Sequence, residues 1–208
     1  MLLSVATAAD FDANLPGFYA PEAIEPGPLR GAARAVVSIG GSSGFFVSPD
    51  GLILTNAHVA DVAGEVARIR PAWDSLVTLR AERIWVSEAL DMALYQADSD
   101  EPTPYAPLRH APPVAGEAVA VVGHPDGRPL RIAFGQIIDD DAFADGRPAV
   151  TYDAVTGWGS SGSPVIDARG QVVAVHRAWG WGPGFEGNFI GVPSDVLIAA
   201  MEAWEEAR

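Results

Sequence analysis

"TGWGSSGSPV", residues 156–165, gathers three serines, three glycines and a proline between two hydrophobic runs. A tight turn recruits the same residues for their backbone freedom, so composition alone says only that the chain bends here. A nucleophilic serine needs a base within hydrogen-bond reach and a third group to fix that base's tautomer. Whether the stretch is chemistry or only a turn therefore depends on what the rest of the chain supplies.

Outward from this turn the chain is a succession of short β runs. "AVAVVG" (118–123), "RIAFGQII" (131–138) and "AVTYD" (149–153) precede it, and "SPVID" (163–167), "QVVAVH" (171–176) and "NFIGV" (188–192) run through and beyond it. The N-terminal half repeats the habit with "AVVSIG" (35–40), "GFFVS" (44–48), "GLILT" (51–55), "SLVTLR" (75–80) and "RIWVS" (83–87). Between the second and third of these, "SPDG" is a hairpin turn with proline second and glycine fourth. Such spacing predicts an all-β sandwich or barrel. The charge-rich "IIDDDAFADGRP" (137–148) reads as a solvated loop. Only the end has a helical period: Val196, Leu197, Ala200, Met201 and Trp204 form one stripe, predicting a C-terminal α-helix over about 194–207 that packs on a barrel. Residues 10–31 carry four prolines and no period, so 1–31 reads as an N-terminal arm or propeptide-like segment, with the folded domain beginning at 32.

Composition narrows the function. Twenty-seven acids against 13 bases, all arginine, give a net charge of −14, which repels nucleic acid and anionic membrane surfaces. No run of 18 apolar residues is present, so membrane insertion is not expected. The absence of cysteine removes disulfides, zinc–thiolate sites and thiol nucleophiles. The acidic 137–148 segment lacks the ligand spacing of a calcium loop, and no metal or cofactor is expected. "MLLSVATAAD" at the N-terminus has a short apolar run and an Ala-x-Ala-like end, a faint sign of export and of a secreted or periplasmic setting.

Two residues qualify as partners for a serine. His58 comes directly after a β run in "LILTNAHVA", where its ring can project from a strand end. Asp91 heads an otherwise apolar stretch, "DMALYQA", and a carboxylate in such surroundings needs a partner. With Ser161 the chain order is His, Asp, Ser. "LTNAHV", "DMAL" and "GSSGSP", in that order and with strands between them, resemble the three signature blocks of trypsin-like serine peptidases. The resemblance covers about residues 33–205. It implies two six-stranded antiparallel β-barrels of the chymotrypsin-like kind, the first over about 32–105 and the second over about 112–192, with the site in the cleft between them. It makes Ser161 the nucleophile, with His58 as base and Asp91 as its orienting acid. The N–H groups of Gly159 and Ser161 then form the oxyanion hole.

Specificity is read from the residues around the nucleophile. Val155 stands where peptidases cutting after Arg or Lys carry an acid, so a basic preference is disfavoured. Tyr152, Asp153, Thr156 and His176 resemble the glutamyl endopeptidases, which implies a pocket of Thr156, His176 and the adjoining Arg177 for a substrate carboxylate. After His176 the sequence departs from that pattern: either Trp179 closes the pocket, or a two-residue insertion restores Trp179–Gly180. "SPDGLILTNAHV" is similar instead to HtrA-type peptidases, which prefer small apolar side chains. The expectation is a serine endopeptidase acting on polypeptides, a monomer without the PDZ-like domain of full HtrA proteins. A catalytically silent binding module on the same fold is the alternative.

Overall fold

The computed structural model describes residues 17–127, 129–180 and 188–207. The export-like start lies outside them. Twelve strands close into two antiparallel barrels. The first contains β1 (Val36–Ile39), β2 (Ser42–Phe46), β3 (Leu52–Thr55), β4 (Val66–Pro71), β5 (Leu79–Ser87) and β6 (Met92–Ala97), in the order β1-β2-β3-β6-β5-β4. The second contains β7 (Ala118–Gly123), β8 (Arg131–Ala144), β9 (Arg147–Tyr152), β10 (Pro164–Asp167), β11 (Val172–Trp179) and β12 (Phe189–Pro193), in the order β10-β11-β12-β9-β8-β7. Closure leaves neither sheet an open edge.

Helix α1 (Pro28–Ala33) precedes the first barrel, α2 (Ala57–Ala63) comes after β3, and α3 (Ser194–Glu206) ends the described chain. The α3 stripe buries Leu197 and lays Met201 and Trp204 against the core, with the Trp204 ring 6.1 Å from Trp85 of β5. Ser194 Oγ donates to the Arg109 carbonyl at 2.7 Å. The helix thus leaves the second barrel and reaches back to the first.

Several sequence expectations need correction. The run at 75–80 is irregular until Leu79, and Leu76 is exposed; the strand lies earlier, at β4. There Ala67 and Ile69 point inward between exposed Val66, Arg68 and Arg70, a strict alternation whose outward arginines conceal the strand. The segment 137–148 is not a loop. β8 runs to Ala144 and turns at Asp145 and Gly146, both with positive φ (54° and 73°), the backbone that a two-residue Asp-Gly hairpin requires. Register shifts at Ile137/Asp139 and Asp139/Ala142 push the acids outward while Ala142, Ala144 and Ala149 pack on Ile190.

The N-terminal segment also differs. Phe18, Ala23, Ile24 and Leu29 are buried, and Tyr19 exchanges both backbone hydrogen bonds with Ile132 at 2.7 and 2.8 Å. A proline-rich strap fills gaps between elements without any period of its own, which is why its pattern reads as outside the core. None of residues 17–31 lines the cleft that holds Ser161.

Candidate active site

β3 delivers His58 to the cleft. Asn56 lies between β3 and α2, but its side chain does not cap the helix. Its Nδ2 donates instead to the Asp91 carbonyl at 3.1 Å and contacts Met92 Sδ at 3.4 Å. Asp91 is held at φ 56°, a left-handed conformation that aspartate tolerates better than most residues. From this anchored turn the carboxylate engages His58 twice. Oδ1 accepts the His58 backbone N–H at 3.0 Å, and Oδ2 meets Nδ1 at 2.9 Å. With Nδ1 bonded to the acid, Nε2 is left free to face substrate.

The nucleophile turn is built from close backbone contacts. Gly159 (φ 83°) and Gly162 (φ 81°) are both left-handed. A Cβ on Gly159 would lie 2.5 Å from the His124 carbonyl oxygen, and one on Gly162 would lie 2.1 Å from that of Ser43. No other residue type fits either place. The Ser160 and Ser163 N–H groups bond to the Gly157 and Ser160 carbonyls at 3.0 Å each. The N–H groups of Gly159 and Ser161 meet no acceptor among the described residues, so both donors are unspent.

Ser43, buried in β2, clips this turn to the first barrel. Its Oγ accepts the His124 N–H and donates to the Gly159 carbonyl, both at 2.9 Å, while its N–H donates to the Ser161 carbonyl at 3.0 Å. Neither Ser43 nor Asn56 stands out as a site residue in sequence. The available signals are a small polar residue inside an apolar strand and an asparagine shortly before the histidine.

His58, Asp91, Ser161, Gly159, Thr156, His176 and Arg177 all line one cleft of about 700 Å³. Ser161 Oγ contacts the Arg177 carbonyl at 3.4 Å, and its bond to His58 is not made in this structure. Val155 and Asp153 lie outside the cleft lining. Val155 is 40% exposed and faces Gly17, while Asp153 Oδ1 accepts the Gln136 N–H at 2.7 Å. Val155 therefore does not form the pocket wall that its place in the sequence suggests.

The wall is set by a bulge in β11. His176 pairs with Gly191 but Ala178 pairs with Ile190, so Arg177 is an extra residue. The bulge re-aims the strand from Ala178 onward. The Arg177 guanidinium, largely buried, pairs with Asp145 Oδ2 at 2.9 Å at the β8–β9 hairpin tip. Trp179 stacks on Phe189 with ring centroids 6.2 Å apart and remains half exposed along the cleft.

Tyr152 Oη lies 2.6 Å from His176 Nδ1, and its alternative acceptor, the Ile190 carbonyl, is at 3.4 Å. If the hydroxyl donates to this nearer partner, Nδ1 accepts and the imidazole carries its own proton on Nε2. Burial, and secondarily the charge of His58, pushes the His176 pKa down from 6.5 to about 3. Burial also raises the Tyr152 hydroxyl well above its usual range. Burial thus holds the His176 imidazole neutral around neutral pH.

This depressed pKa makes stability depend on pH. An unfolded His176 takes up a proton below about 6.5, whereas the folded one resists until about 3. Its contribution is complete above the upper value and declines as pH falls through the window, by on the order of 5 kcal/mol across it. Urea unfolding between about pH 7 and pH 4 is expected to show a steeper loss for the native protein than for His176→Asn. Parallel pH profiles would contradict the assignment.

Two closed barrels meeting at a cleft that joins an imidazole–carboxylate pair to a glycine-framed serine turn define the two-barrel serine peptidase class. Residues 42–175 match the trypsin-like peptidase domain family, and the chain belongs to it. A probable periplasmic serine endoprotease DegP-like from Pseudomonas savastanoi pv. phaseolicola is 31% identical over 187 residues, 86% of this chain and 37% of that protein. The mitochondrial serine protease HTRA2 of Bos taurus is 33% identical over 178 residues, 82% of this chain and 37% of that one. The chain spans little more than a third of the length of these relatives. A serine endoprotease structure from Yersinia pestis superposes with a TM-score of 0.72 at 23% identity, covering 85% of this chain and 64% of that one. The apo MamO protease domain from Magnetospirillum magneticum gives 0.69 at 22%, covering 81% and 96%. At those identities the likeness speaks for the fold.

Proposed function

We propose that this chain hydrolyses peptide bonds as a serine endopeptidase, with His58, Asp91 and Ser161 as its triad. The observation that carries the reading is the two-point grip of Asp91 on His58 in the cleft that also holds Ser161. The reaction requires the Ser161 hydroxyl to leave the Arg177 carbonyl and turn toward Nε2. His58 then takes the hydroxyl proton as Oγ bonds the substrate carbonyl carbon, and the Gly159 and Ser161 N–H groups receive the oxyanion. The C–N bond breaks as His58 returns that proton to the leaving amine, and water, activated by the same imidazole, releases the acyl group. A fluorophosphonate probe is expected to label Ser161 in folded protein. Absence of labelling would favour a silent binding module. The name of the Pseudomonas relative supports a periplasmic or secreted setting.

For the residue before the scissile bond, the reading is Glu or Asp. A buried carboxylate needs donors, and neutral His176 Nε2–H with the Thr156 hydroxyl can supply them without a spare cation. The second reading, a small apolar residue as in HtrA-type peptidases, is favoured by the stacked Trp179 and Phe189 rings. A peptide panel varying this position is expected to show the highest kcat/KM for Glu, reduced by Thr156→Val. Faster cleavage after Val or Phe would establish the apolar reading instead.

A further inference from the structure

A second cavity, of about 690 Å³, opens between the N-terminal strap, α1, the end of β4 and the segment leading into β8. Its wall carries Arg30, Arg34, Arg70 and Arg131, and Glu22 is the one acid among the described residues lining it. In a chain of 27 acids and 13 arginines, four of those arginines converge on one recess. Arg30 and Arg34 are four residues apart along and just past α1, so they project from one face. Arg70 stands on the outward side of β4. Arg30 is turned to the Ile24 carbonyl at 3.4 Å, and Arg34 and Arg70, both exposed, form no ion pair with any described carboxylate. Elsewhere Arg80, Arg83, Arg109 and Arg177 are ion-paired, while Arg68, Arg147 and Arg169, outside the recess, also form no ion pair with a described carboxylate.

Like charges gathered in a concave wall focus potential outward and favour an anion that enters between them. The surrounding surface selects which anion. A duplex or an anionic bilayer needs a broad basic face, and here the strongly acidic remainder of the molecule would repel it. A short, flexible, acidic segment can enter the recess alone. The recess also adjoins the peptidase cleft, because His124 and Gly127 line it and the same two residues pack by their backbones against Gly159 of the nucleophile turn. A polypeptide held at Ser161 is therefore the ligand delivered to its edge.

We infer that this arginine-lined cavity is an accessory site that captures an acidic segment of the polypeptide substrate, away from the bond being cut. The choice of ligand rests on the peptidase reading, but the site is tested without turnover. A fluorescently labelled peptide of about six Asp and Glu residues is titrated by anisotropy into Ser161→Ala protein. A Gly/Ser peptide of equal length is the control. The acidic peptide is expected to bind about tenfold tighter at low salt, to lose about tenfold in the Arg34→Gln/Arg70→Gln double variant, and to weaken as salt shortens the screening length. Both replaced side chains are exposed, and unchanged cleavage of a short neutral peptide by the double variant shows that its fold is intact.

In turnover, an acidic tail added to one end of that neutral peptide is expected to lower KM severalfold with kcat unchanged, and the double variant is expected to erase this gain. Equal binding of the two labelled peptides, or binding indifferent to the two arginines, overturns the proposal. So does variant-sensitive binding of inorganic phosphate or duplex DNA without binding of the acidic peptide. Binding of the acidic peptide by a protein that cleaves nothing would sustain the site while removing the peptidase reading.

Discussion

Ser161→Ala is expected to lower kcat/KM by roughly 10⁶-fold while leaving the unfolding midpoint unchanged. The magnitude follows from the proposed mechanism, in which Ser161 Oγ is the atom that would be acylated. Ser161 Oγ makes one long contact, to the Arg177 carbonyl at 3.4 Å, so its removal strands no strong hydrogen bond. A residual rate above that of water is expected from the Gly159 and Ser161 N–H donors and from binding alone. His58→Ala in the Ser161→Ala background is expected to add little, because the pair acts as one unit. Single-turnover measurements on an activated ester and a peptide check both statements. A Ser161→Ala protein retaining more than about a hundredth of native turnover would place the nucleophile elsewhere.

Gly159→Ala is the second large effect, and it works through shape. The added Cβ would meet the His124 carbonyl oxygen at 2.5 Å, in a backbone conformation that L side chains rarely adopt. The clash is with main chain, so no side-chain rotation relieves it. The turn must shift, and with it the donor that Gly159 offers. Losing one such donor lowers kcat by about 10²- to 10³-fold, and this substitution is expected to fall in that range or below it. Fluorophosphonate labelling should slow in parallel, because the same donors assist attack on the probe. A Gly159→Ala enzyme with a native kcat would mean that the oxyanion is held by other groups.

How far this was legible in sequence depends on where each residue's partner lies. The barrels announce themselves wherever short apolar runs sit between clear turn signals, as in β1, β3 and β7. They fall silent where a bulge moves the alternation by one, as in β8, or where arginines dominate the outward positions, as in β4. The serine turn and its two partners could be named because three short blocks occur in a telling order. Ser43 could not. Its meaning is its bond to Gly159, which is 116 positions away, and no local pattern distinguishes it from any serine in a strand. Asn56 could be quoted but not interpreted, since its position suggests a helix cap while the fold uses it to fasten Asp91. The bulge at Arg177 has no local signal, and the counter-ion that fixes its side chain comes from a hairpin tip 32 residues earlier.

The clip made by Ser43 bears on how such a molecule survives in the company of its own copies. Because the Ser161 carbonyl is fastened to a strand of the opposite barrel, neither barrel holds a competent site by itself. On the proposed peptidase reading, a copy whose barrels part would lose its site in the same event. Self-digestion would then require an intact copy acting on an unfolded one.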